Sequence, residues 1–159
     1  MRCGLNVSDR YVMWLFESNV MTRKLLIIED TPLHLAILAK IGAQEGFTAT
    51  SARCFAEAAR LLAETDFDCV TLDLSLGEQS GTEVLRFLSH INCRTPIIVI
   101  SGSEQSVREQ TVRLGNELRL NLCEPVPKPI DIAALRLLLR RLADVPLGRV
   151  AVSAAGEHK

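Results

Sequence analysis

Three short stretches, "KLLII" (24–28), "DCVTL" (68–72) and "PIIVI" (96–100), run apolar without alternation. That is the pattern of parallel strands covered on both faces. "TATS" (48–51), after the turn residue Gly46, predicts a weaker strand, and "LRLNL" (118–122) a fifth. Between these runs apolar residues recur every three or four positions. Leu33, Ala36, Ile37 and Ile41 do so before Gly42, then Val84, Leu85, Leu88 and Ile91, and finally Leu135, Leu138, Leu139 and Leu142. Each set marks one face of a helix, and Asp131 is placed to cap the last one. Strand and helix therefore alternate along the chain. The alternation predicts a doubly wound α/β fold around a five-stranded parallel sheet, with functional groups at the carboxyl ends of the strands.

Composition narrows this picture. At 159 residues, 48% hydrophobic, the chain has room for one ordinary domain and a sizeable core. A formal net charge of -1 and a pI near 6.3 offer no basic surface, so no direct nucleic-acid binding is expected. The five cysteines, Cys3, Cys54, Cys69, Cys93 and Cys123, are odd in number and lack CxxC spacing. They predict buried free thiols in a reducing cytosol. No apolar run approaches the roughly 18 residues of a membrane span, and the N-terminus lacks the order of a signal peptide. The reading is a soluble, cytoplasmic protein with no membrane partner.

The candidate chemistry lies where the strands end. Glu29 and Asp30 follow the first strand, Asp73 the third and Ser101 the fourth, and Lys128 lies just beyond the fifth. In a parallel sheet all of them emerge at one edge. Crowded carboxylates repel unless a cation holds them ionised, and an all-oxygen set suits Mg²⁺. Such a cation makes Asp73 a usable nucleophile toward a phosphoryl group, with an ammonium and a hydroxyl to stabilise the remaining charge. An isolated acidic pair is more often a helix N-terminal cluster; its combination with Asp73, Ser101 and Lys128 favours chemistry. His34 and His90 have no ligand partners at metal spacing, which predicts plain surface or helix-end roles.

These pieces together resemble the receiver domain of bacterial two-component response regulators, from about Arg23 to Leu142. The matching motifs are "ED" (Glu29, Asp30), "VTLDLSLGEQSG" with Asp73 and Gly81, "PIIVISG" with Ser101, and "KPI" with Lys128 and Pro129. The resemblance implies a flavodoxin-like sheet of order 2-1-3-4-5 and a phosphoryl group accepted on Asp73 from a sensor histidine kinase. It also implies Mg²⁺ held by Asp30, Asp73 and the Ser75 backbone carbonyl, with Glu29 acting through metal-bound water. Ser101 and Lys128 would each bond a phosphoryl oxygen. A His-containing phosphotransfer protein is a further expected partner. Catalysis would be confined to the protein's own aspartyl phosphate, so no turnover enzyme is expected.

Two departures stand out. Three residues before Lys128, where receivers usually carry a Tyr or Phe that swings inward, stands Pro125, and nothing after Phe87 is aromatic. The stretch from Gly115 to Lys128 is also longer than the usual link. Residues 1–22 are expected to form an N-terminal extension or arm, 23–143 the receiver, and 144–159 a C-terminal tail without an output domain. The apolar helix around Leu137 predicts a homodimer through that element. The leading reading is a stand-alone response regulator. The alternatives are a receiver-like interaction module that is not phosphorylated, and an Asp-nucleophile phosphohydrolase of the haloacid-dehalogenase kind. The latter needs a second Asp two residues after the nucleophile, where this chain has Ser75.

Overall fold

In the computed structural model, which describes residues 22–77, 79–102 and 104–146, the predicted apolar runs become neighbouring strands. They are β1 (Arg23–Ile28), β2 (Phe47–Ala52), β3 (Cys69–Asp73), β6 (Ile97–Ser101) and β7 (Val126–Pro127). All are parallel, in the order β2-β1-β3-β6-β7. The missing numbers are β4 (Ser75–Leu76) and β5 (Gln79–Ser80), a separate antiparallel hairpin. With that hairpin set aside, the sheet has the expected 2-1-3-4-5 arrangement. Strand order reverses between β1 and β3, so their carboxyl ends border a crevice.

The helices are α1 (Pro32–Gln44), α2 (Phe55–Glu64), α3 (Gly81–His90), α4 (Gln105–Glu117) and α5 (Ile132–Ala143). Side chains alternate strictly along β1. Leu26 and Ile28 join Val70, Leu72 and Val99 against Ala58, Val84, Leu85 and Leu88 of α2 and α3. Leu25 and Ile27 join Ile98 and Ile100 against Leu38 and Ile41 of α1 and Leu135 and Leu139 of α5. A sheet buried on both faces explains why its strands read as unbroken apolar runs. Asp131 caps α5 by accepting the Ala134 N–H at 3.0 Å.

Three expectations need correction. The α1 stripe is right only in its second half: Ile41 is buried and Ile37 packs against the core, but Leu33 is 67% exposed and Ala36 is exposed, and Leu38 is the buried residue in their place. This helix is apolar around most of its circumference, so spacing alone does not select a face. The fifth strand is not 118–122. The turn after α4 places Arg119 at φ 55, and the chain makes only one bridge, Leu122 to Ile97, before the ladder resumes at Val126. The intervening Pro125 has no N–H with which to continue it. Finally, Cys69 is buried, but Cys54, Cys93 and Cys123 are only partly so. Burial pushes both the Cys69 and Cys123 thiols upward in pKa. Cys3, the N-terminal arm and most of the tail lie outside the described residues. No helix among those described is long and apolar enough to cross a membrane.

Candidate functional site

Glu29 is the first residue past β1, and Asp73 is the last residue of β3. Both are buried, with Asp73 only 3% exposed. Two ionised carboxylates in that position demand compensation, and the backbone supplies part of it. Glu29 Oε1 accepts the Thr31 N–H and Asp73 Oδ1 accepts the Ser75 N–H, both at 3.0 Å. The remaining oxygens converge on one cation. Lys128 Nζ donates to Asp73 Oδ2 at 2.8 Å and to Glu29 Oε2 at 3.1 Å. Burial alone would lower the Lys128 pKa, but the hydrogen bonds and charges of Asp73 and Glu29 outweigh it and raise the value.

Lys128 is delivered by the edge of the sheet. Its N–H bonds the Ser101 carbonyl at 2.9 Å, beside the β6 to β7 pairing of Ser101 with Pro127. Ser101, the last residue of β6, is fully buried. Asp30 is the half-buried third carboxylate, with Thr31 Oγ1 donating to its Oδ1 at 3.4 Å. Carboxylate oxygens of Glu29, Asp30 and Asp73 all lie within 4.8 Å of one another. An all-oxygen donor set of that size suits a hard divalent cation.

The wall behind Asp73 is close-packed. A Cβ on Gly81, at the start of α3, would sit 2.8 Å from the Asp73 carbonyl oxygen and 2.7 Å from Leu74 Cα. Only glycine lets α3 approach the end of β3 so closely.

Sequence reasoning missed one member. His34, the third residue of α1, brings Nδ1 to 3.2 Å from Lys128 Nζ and 3.3 Å from Glu29 Oε2. The signal was the short link from Glu29: a helix that starts at Pro32 folds its first turn back over the end of β1. His90 is an exposed residue in the last turn of α3, as expected for a helix-end histidine.

The sequence profile of the response regulator receiver domain matches residues 25–140. The chain belongs to that family. The cell cycle transcriptional regulator CtrA of Caulobacter vibrioides is 33% identical over 119 residues, which is 74% of this chain and 51% of CtrA. This chain thus spans about half the length of that relative. Among solved structures, the receiver domain of Francisella response regulator 1452 aligns with a TM-score of 0.66 at 21% identity, covering 76% of this chain and 95% of that one. A Burkholderia pseudomallei response regulator, described with a phosphorylated aspartic acid, a calcium ion and citrate, aligns with a TM-score of 0.63 at 23% identity. The coverage there is 77% and 70%. Both structural likenesses concern the receiver fold.

Proposed function

We propose that this receiver accepts a phosphoryl group on Asp73 from a phosphohistidine and acts in a two-component phosphorelay. One observation carries the reading. Asp73 sits at the strand-order switch with Lys128 on one oxygen, a backbone N–H on the other, and two further carboxylates beside it. In the transfer, an Asp73 carboxylate oxygen bonds to phosphorus as the donor's P–N bond breaks, and the electron pair leaves on the imidazole nitrogen. The donor is a sensor histidine kinase or a His-containing phosphotransfer protein. Hydrolysis reverses the gain, with water attacking phosphorus and releasing phosphate, so the chain acts on its own modification and not on an external metabolite.

Glu29, Asp30 and Asp73 would hold Mg²⁺, together with the Ser75 carbonyl, and the bound ion would neutralise charge on the phosphoryl oxygens. Lys128 and Ser101 would bond those oxygens directly. The rest of the work belongs to the protein. It recesses Asp73 and keeps a cation against it. The Burkholderia relative's phosphorylated aspartic acid shows that the fold accommodates such a group in that protein.

The test is phosphorylation by acetyl phosphate with Mg²⁺, read by intact mass. Wild type should gain one phosphoryl mass, Asp73→Asn none, and Asp30→Ala should lose most Mg²⁺ affinity. Labelling retained by the Asn variant would overturn the assignment. A second reading concerns assembly: Leu137, midway along α5, is 50% exposed, which favours a homodimer through this helix.

A further inference from the structure

Three polar atoms at the mouth of the site form a nearly equilateral triangle. Lys128 Nζ lies 3.1 Å from Glu29 Oε2 and 3.2 Å from His34 Nδ1, and the last two lie 3.3 Å apart. Their chemistries differ. An ammonium can only donate and a carboxylate can only accept, so the imidazole is the one corner able to do either. His34 is also the outermost, with its side chain 30% exposed against 15% for Lys128 and none for Glu29.

We propose that His34 is a positioning residue that closes the Lys128–Glu29 pair from the solvent side and so fixes the ammonium over Asp73. This rests on the functional reading above and deepens it. The other two Lys128 contacts are both disturbed by the chemistry. Phosphorylation of Asp73 to an acyl phosphate removes the negative charge of that carboxylate, and a cation among the carboxylates competes with Lys128 for Glu29. The His34 contact belongs to neither event. It therefore holds the ammonium near its working place while its anionic partners change. His34 reaches this place through sequence-local geometry. Thr31 N–H bonds Glu29 Oε1 and Pro32 begins α1, which together set the angle at which the first turn passes the end of β1.

The test compares His34→Leu, which can neither donate nor accept, with His34→Gln, whose amide does both. In the full chain with Mg²⁺, the ratio of maximal rate to half-saturating acetyl phosphate should fall roughly tenfold for Leu, the scale of one hydrogen bond to a charged group. Gln should stay within about twofold of wild type. In unphosphorylated protein, the ¹⁵N signal of His34 Nδ1 should move on Lys128→Met, because the contact exists without the phosphoryl group. If wild type accepts no phosphoryl group, the functional reading falls, and the ring-nitrogen shift still decides the tether. An unmoved ring nitrogen, or a folded Leu variant with wild-type kinetics, would overturn the proposal. Should the Leu variant not fold, Gln kinetics far below wild type would do the same.

Discussion

At the residue scale, the site is an exercise in making one cation serve two buried anions. Lys128→Met leaves Glu29 and Asp73 facing each other without their shared partner. The expected cost is about 3 kcal/mol at neutral pH, the scale of breaking a buried ion pair by removing one member. Added Mg²⁺ should restore part of it. The Lys128 pKa is raised in the folded protein, so its contribution is fully present below the ordinary 10.5 and disappears as pH climbs through the higher folded value. Denaturant unfolding of wild type and variant, carried from neutral into alkaline pH, should show the stability gap narrowing only at the top of that range. A gap independent of pH would place the loss in packing and not in charge.

At the scale of elements, what was legible in the sequence depended on how many physical constraints acted together. β1, β3 and β6 were plain because burial on both faces excludes polar residues. The chain order of Glu29, Asp30, Asp73, Ser101 and Lys128 followed from strand ends. The face of α1 was only partly legible, with Ile37 and Ile41 core-facing but Leu33 and Ala36 not, since a helix apolar nearly all round carries little directional signal. The last strand was hidden as well: two residues of ladder, Val126 and Pro127, between Pro125 and Lys128 leave almost no pattern to read. His34 was missed because its role depends on the angle between β1 and α1, which no spacing rule contains.

The same proline-rich edge shapes the expected response to phosphorylation. A switch needs an element with two arrangements. Pro125 cannot rotate inward as an aromatic ring does, and the Lys128 N–H is tied to Ser101. With a beryllofluoride mimic, amide NMR shifts should therefore concentrate in Ser101, Gly102 and the first turn of α4. Comparable shifts through β7 and the start of α5 would refute a static edge.

At the scale of the whole molecule, α1 and α5 are joined on one face by more than their apolar contacts. Arg140 Nε donates to Glu45 Oε2 at 2.7 Å, Arg136 reaches Glu45 Oε1 at 3.4 Å, and Arg136 also contacts Gln44. The Arg140 hydrogen bond holds the Glu45 carboxyl below the usual carboxylate range. Leu135 and Leu139 are consumed by the core, which leaves Leu137 available to a second copy. Leu137→Glu should preserve the unfolding midpoint yet convert a dimer to a monomer in light scattering at tens of micromolar. A wild-type monomer in both phosphorylation states would remove the dimer reading altogether.

The Arg23 guanidinium, at the first residue of β1, donates to the backbone carbonyl of Val145, just after α5. The fold is thus entered and left within reach of one arginine side chain. A domain with that property behaves as a cassette. Spliced into a surface loop of an unrelated host, residues 23–145 would need only short linkers, because the host's own two ends would be held about the length of one arginine side chain apart and not pulled open. Joining the two ends and cutting the chain at an exposed loop would likewise reorder the sequence without moving the crevice.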